Sequence, residues 1–344
     1  MTESAWREFG LHVGMLHLVP GRLSEEAIVK QLGAFQWQAA AALAGQPEDA
    51  VMNEAGERLH CSMISIELGM PVGRSWDEFD EGCDLAFRQR TGVFGRKLVE
   101  GLFLFDKESI PEAELQAVQT REDLARGHRP WAYLTHGFIT RHAGTWAKLE
   151  TPQAFLSGPL PELPAMPTGI SEHLSVERTG TIEGFPAWNA AQELPCDSGP
   201  ASFAYDVQPE TDLNALGLIY CARFPAIMAS GERRLLRSRL LVPLSEPLVA
   251  HLFTEHRRLY YFANAAREEE LHLRVQARFC PPEKSAPARV RTMGRFLFRT
   301  DLYRASDSVL MASALVEKSL RVPGSMKPLV TESERQLARL QGRA

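Results

Sequence analysis

The chain has 344 residues, 44% of them hydrophobic, and a formal net charge of −5. That is enough apolar material for a large core, more naturally divided between two domains than held in one. The lack of a basic stripe or charge block argues against nucleic acid and anionic membranes as partners, and no apolar run approaches the ~20 residues that span a bilayer.

The opening MTESAWREFGLHVG is mixed and polar rather than leader-like. GMLHLVPGRLSEEAIVKQLGAFQW (14–37) then leads from an apolar turn into a helix, with Ser24 as its N-cap and Glu25 and Glu26 in the positive first turn. Ile28, Leu32, Phe35, Ala39 and Leu43 fall at helical spacing and predict one buried face. Strand-like runs follow: GERLHCSMISIEL (56–68), CDLAFRQRTG (83–92), GLFLFD (101–106) and 131–146. The stretch TPQAFLSGPLPELPAMPTG (151–169) holds five prolines and predicts an extended connector.

The second half repeats this order. DLNALGLIYCARFPAIMASGERRLL (212–236) reads as a short strand, a turn with Pro225, and a helix whose apolar side is Ile227, Met228, Leu235 and Leu236. EHRRLYYFANA (255–265), EELHLRVQARF (269–279), GRFLFRTD (294–301) and 308–320 match the four earlier strand-like runs. In the second of these, Leu271, Leu273, Val275, Ala277 and Phe279 alternate with polar residues, the period of a half-buried strand. A helix followed by a run of strands, twice over, predicts an α+β fold. The expected domains are 1–150 and 201–323, with a Pro-rich linker at 151–200 and a polar tail at 324–344. The five cysteines, Cys61, Cys83, Cys196, Cys221 and Cys280, show no zinc spacing, so a reducing cytoplasm is the expectation.

With these residues placed, the chain resembles a double hot-dog protein, in which a sheet wraps each long helix and thioester sites form between paired units. DLNALGLIYCARFP…GERR followed by RRLYYFANA is similar to the second half of the LnmK-type family, named for the bifunctional acyltransferase/decarboxylase of leinamycin biosynthesis. The pattern GM-x-HL…G-x-LSE…LG…W is similar to a sister group of double hot-dog biosynthetic proteins. The resemblance spans most of both halves. It implies that a methylmalonyl-type acyl group passes from acyl-CoA to an enzyme tyrosine and on to the phosphopantetheine of an acyl carrier protein, with loss of CO2, in polyketide or related secondary metabolism. It implies no metal and no organic cofactor. The place of the family tyrosine falls on LHCSM (59–63), where His60 stands instead and Ser62 is kept.

The candidate site residues follow from what such chemistry needs. His60 can serve as acyl-accepting nucleophile or general base, while Cys61 on the opposite strand face reads as a small buried hydrophobe. Negative charge grows on the thioester oxygen, so donors are required there. His17, in the turn before the first helix, is one candidate, and a backbone-satisfied turn histidine is its structural alternative. Asn214 is another, standing where a thioester junction often carries an Asp; its alternative is an Asn that bonds its own turn. Ser24, Ser62, Arg223 as an anion holder, and Tyr260 at the repeat position matching His60 make up the substrate-binding set, and Glu25 is the carboxylate that a dehydratase would pair with His60 or His17. The expected site gathers around His17, the first helix and His60, with Asn214 and Arg223 from the second half. Two other readings stay open: a hot-dog thioesterase or dehydratase acting on carrier-bound chains, and a non-catalytic factor whose Arg233, Arg234, Arg237 and Arg239 meet an acidic carrier protein. A homodimer is compatible with either class.

Overall fold

The computed structural model describes residues 5–342, except 21, 72, 143–144, 184, 195–199, 266–268 and 283–289. Cys196, within the expected linker, lies outside the described residues. The chain divides into two units, Met1–Thr181 and Ile182–Ala344.

In the first unit, strand β1 (Arg7–His12) leads to a 3-10 turn at Met15–His17, a short hairpin of β2 (Leu18–Val19) and β3 (Arg22–Leu23), and helix α1 (Glu25–Leu43). Ser24 caps α1 as expected, its hydroxyl accepting the Ala27 N–H at 3.3 Å. Ile28, Leu32, Phe35 and Ala39 are buried along one face, and Gln36 is buried among them. Then come β4 (His60–Gly69), β5 (Asp84–Phe94), β6 (Leu98–Asp106), the short helices α2 (Glu112–Ala117) and α3 (Arg121–Arg126), β7 (Trp131–His142), β8 (Thr145–Glu150) and α4 (Thr168–Thr179). The strands are antiparallel in the order β1-β5-β6-β7-β4, with β8 paired to β7.

The second unit begins with α5 (Pro186–Ala190), β9 (Gln192–Glu193), β10 (Ala201–Asp206), α6 (Pro209–Asp212) and the long helix α7 (Arg223–Ser238). It continues with α8 (Glu246–Ala250), β11 (Leu252–Tyr261), β12 (Glu270–Cys280), β13 (Val290–Arg304), β14 (Leu310–Pro323) and α9 (Lys327–Leu340). Its antiparallel order, β10-β12-β13-β14-β11, repeats that of the first unit strand for strand, with β9 added beside β12. β12 alternates buried and exposed along nearly its whole length, as its sequence predicts.

Four expectations need correction. The 151–200 linker is not merely extended: it contains α4 and α5, because Pro167 and Pro186 sit where helices start, at positions whose N–H is not needed. The 324–344 tail carries α9, whose Val330, Leu337 and Leu340 are buried while its charged residues face out. DLNALGLIYCA is not a strand. Asp212 ends α6, the chain then makes a loop closed by an isolated bridge between Leu213 and Ile219, and Pro225 lies inside the first turn of α7. The fourth concerns the repeat register. In both units the strand after the long helix carries a β-bulge, between Met63 and Ser65 in β4 and between Thr254 and His256 in β11. Aligned on the bulge, Met63 matches Thr254, and their cross-strand partners His136 and Lys318 match each other. The pairing of His60 with Tyr260 fails this alignment, since His60 opens β4 whereas Tyr260 is the last residue but one of β11. Similar letters suggested that match, but pleat and bulge decide which side chains face the helix.

Candidate functional site

The first group of predicted residues gathers at the start of α1. The His17 Nδ1 accepts the Gly14 N–H at 3.0 Å, and the His17 carbonyl accepts the Ser24 N–H at 2.8 Å. The structure thus brings His17 and Ser24 together at the positive end of the helix. With Nδ1 accepting, the neutral ring carries its proton on Nε2, so the edge it presents elsewhere is a donor. Met15 and Leu16, 74% and 95% exposed, flank it on the same turn.

His60 and Ser62 lie at the start of β4 opposite Ile139 and Gly137, ahead of the bulge, and so share one strand face. Both are half-buried, and so is Cys61 on the other face. Glu25, the proposed partner for a dehydratase histidine, is on the first turn of α1.

In the second unit Asp212 organises the loop. Its carboxylate has no exposed surface and accepts the Tyr205 hydroxyl at 2.9 Å, the Gln208 N–H at 2.8 Å and the Arg223 guanidinium at 2.8–2.9 Å. Burial, reinforced by the bond to Asp212, pushes the Tyr205 phenol up to about 12. Arg223 opens α7, with its Nε and one terminal nitrogen directed at Asp212. Two residues on, the Asn214 Oδ1 accepts the Leu216 and Leu218 N–H groups at 2.9 and 3.2 Å. This is the turn role weighed from sequence, and it leaves the amide only N–H donors to present elsewhere. The far side of the loop is pinned through the last residue of β11, whose Tyr261 hydroxyl donates to the Cys221 carbonyl, and through Asn264 just beyond the strand, which bonds both the N–H and the carbonyl of Ile219 at 3.0 Å. Tyr260 is 1% exposed, packed in the sheet with Ser313 opposite.

Three polar groups escaped the sequence reading. Between α1 and the first sheet, the Gln89 Nε2 donates to the Gln36 Oε1 at 2.7 Å, and the Gln36 Nε2 lies 3.2 Å from the His136 Nδ1. Burial alone drives His136 down to about 3, so the ring is neutral. In the second unit Glu232 lies 2.5 Å from the Lys318 Nζ and 3.6 Å from Arg257, all three buried. Burial works to raise the Glu232 carboxyl, but Lys318 and Arg257 outweigh it and hold it below the usual range. Glu232 is therefore not part of a solvated helix face, although Arg233, Arg234 and Arg237 are exposed. Its spacing from Met228, Leu235 and Leu236 was the available signal. Finally, the Tyr133 hydroxyl donates to Glu100 at 2.7 Å and accepts the Gly169 N–H at 3.2 Å, docking α4; burial raises the Glu100 carboxyl.

The segment between β6 and β7 also borders a cavity of about 730 Å³ over Leu104 and Val118. Two of the three arginines lining it, Arg74 and Arg129, are ion-paired to Asp106, and the third, Arg126, to Asp123. Among the described residues no helix is long and apolar enough to cross a membrane.

No protein-family model matches the sequence, and no curated protein does. Solved structures do. The chain is similar to a putative oleoyl thioesterase from Lactobacillus plantarum, with a TM-score of 0.56 at 6% identity over 93% of this chain and 98% of that one. It is also matched to a 12:0-ACP thioesterase from Umbellularia californica, with a TM-score of 0.49 at 9% identity over 92% and 97%. The first likeness, together with the duplicated helix-and-sheet order, makes the chain an α+β protein of the double hot-dog fold.

Proposed function

We propose that the protein is an acyl-thioester enzyme that moves an acyl group from coenzyme A to the phosphopantetheine of an acyl carrier protein. The observation that carries this reading is the state of the 212–223 loop. Its one carboxylate, Asp212, is sealed and bonded, and the polar end left to Asn214 is a donor. Hydrolysis by a carboxylate-activated water needs a carboxylate with access to that water. Acyl transfer needs donors for the thioester oxygen, a role proposed for Asn214 within the second unit and, separately, for the His17 Nε2–H within the first. His60 is the proposed nucleophile. Its ring nitrogen attacks the thioester carbonyl, the C–S bond breaks, and the CoA thiolate leaves and takes a proton. The carrier thiol then attacks the acyl-imidazole and frees His60. With a malonyl-type acyl group, the donor implied by the sequence resemblance, loss of CO2 leaves the bonding pair on the thioester as an enolate, which the same donors stabilise.

Hydrolysis is the second reading, favoured by the likeness to the putative oleoyl thioesterase, with water taking the place of the carrier thiol. Intact-mass spectrometry separates the two. The protein is incubated with malonyl-CoA, methylmalonyl-CoA and longer acyl-CoAs, with and without a carrier protein. An adduct that disappears in His60→Ala and passes to the carrier supports transfer. Free acid and CoA without an adduct favour hydrolysis, and stable carrier binding without turnover sinks both.

A further inference from the structure

The two units carry opposite charge. Met1–Thr181 holds 16 Lys and Arg against 25 Asp and Glu, whereas Ile182–Ala344 holds 22 against 18. The second unit is therefore basic within a chain that is acidic as a whole, an asymmetry that favours an anionic partner for that unit. Part of the excess is concentrated on α7. That helix buries Ile227, Met228, Leu235 and Leu236 on one side, together with the ion-paired Glu232. Its opposite side runs through Ala226, Ser230, Arg233 and Arg237, which share one face at helical spacing, and the two arginines are exposed. Just past the end of the helix stands Leu241, 65% exposed.

The four arginines of this run differ in what they can offer a partner. Arg239 is half-buried. Arg234 is exposed, but its guanidinium lies 4.6 Å from the centre of the Phe203 ring and donates to the Ala204 carbonyl at 2.8 Å, which holds it against β10. Arg237 is paired to Glu246 at 2.6 Å, with both side chains more than half exposed. A surface pair of this kind contributes little, so the guanidinium can exchange Glu246 for a carboxylate of a partner. Arg233 makes no ion pair among the described residues. The charge on offer is thus carried by Arg233 and Arg237, one helical turn apart, with Arg234 fixed at their flank.

We propose that this face of α7, with Leu241, is the docking surface for an acidic acyl carrier protein. Arg233 and Arg237 meet carboxylates on the carrier, and Leu241 supplies an apolar contact within the charged rim. Charge complementarity selects the second unit, since acids outnumber bases in the first and an acidic partner is repelled there. The place also suits delivery. α7 begins at Arg223, beside the loop that holds Asn214, and Arg233 stands ten residues on, about 15 Å along the axis. An extended phosphopantetheine arm covers that span. The inference rests on the reading that the protein passes acyl groups to a carrier, and adds the surface on which the carrier sits.

The test uses the whole protein and a purified phosphopantetheinylated acyl carrier protein with an acidic helix, with binding followed by calorimetry. Arg233→Glu combined with Arg237→Glu should weaken binding by roughly ten- to a hundredfold at low salt, and the difference should shrink as salt is raised. Arg335→Glu combined with Arg339→Glu makes the same change of charge on the exposed side of α9 and should leave binding as it was. A carrier whose helix carboxylates are replaced by lysine should bind the α7 variant better than the unaltered protein. Equal losses in the two double variants, no loss in the α7 variant, or no binding of the carrier to the unaltered protein overturns the inference. So does a matching rise in KM for acyl-CoA, which assigns the face to the nucleotide end of coenzyme A instead. Carrier acylation that proceeds undiminished in the α7 variant overturns this inference and leaves acyl transfer standing. Binding that depends on Arg233 and Arg237 without any acyl transfer does the reverse.

Discussion

Asp212 accepts bonds from Tyr205, the Gln208 backbone and Arg223, and two residues later Asn214 bonds its own loop. At the residue scale this separates architecture from chemistry within one short motif, and it can be tested. Asp212→Asn removes the ion pair and sets an amide against donors it cannot all accept. It should lower stability by about 3–5 kcal/mol in urea unfolding. The Tyr205 phenol should titrate closer to its ordinary value of ~10 instead of about 12, read by ultraviolet absorbance. His136 gives a second test. Its folded pKa, about 3, lies below the unfolded value of ~6.5, so the unfolded chain binds the proton first as pH falls. Stability is unaffected by this group above pH ~6.5 and declines towards pH 3, by roughly 2–3 kcal/mol at pH 4.5. Urea midpoints measured against pH should show this acid slope, and His136→Phe should flatten it.

Among the elements, α1 was fully legible because its cap, acidic first turn and apolar stripe all lie within one stretch of chain. Ser24→Ala should cost about 1 kcal/mol, measured by thermal unfolding. Helices α4 and α9 were hidden for opposite reasons. Pro167, the last of the five prolines that suggested an extended connector, proves to start a helix, and the polar residues that suggested a tail form one side of an amphipathic helix. Docking of α4 depends on a close approach no local pattern reveals: a Cβ at Gly169 would fall 2.4 Å from the Ser65 hydroxyl and 2.8 Å from the Tyr133 ring. Gly169→Ala should therefore loosen α4 from the sheet. Hydrogen exchange of the 168–179 amides should accelerate, while amides of α1 stay protected.

For the whole molecule, the duplication sets the terms of comparison. The two repeats share strand order and bulge, yet one buries an uncharged polar chain and the other an ion-paired triad. Glu232→Leu leaves Lys318 and Arg257 without that carboxylate and should destabilise the second unit by about 3–5 kcal/mol, seen as an early transition in urea. The sequence by itself determined the repeat, the α+β class, the long helices and the strand runs, because these rest on local propensity and hydrophobic period. It also placed Ser24 at its cap. Only the tertiary structure decided what the polar side chains do. It turned Asp212 inward, kept Asn214's oxygen for its own loop, moved the repeat register off His60 and Tyr260, and assembled Gln36, Gln89 and His136 from one helix and two strands. The physical reason is that a hydrogen bond or ion pair depends on which groups the sheet register and helix packing bring within about 3 Å, a distance no spacing along the chain encodes.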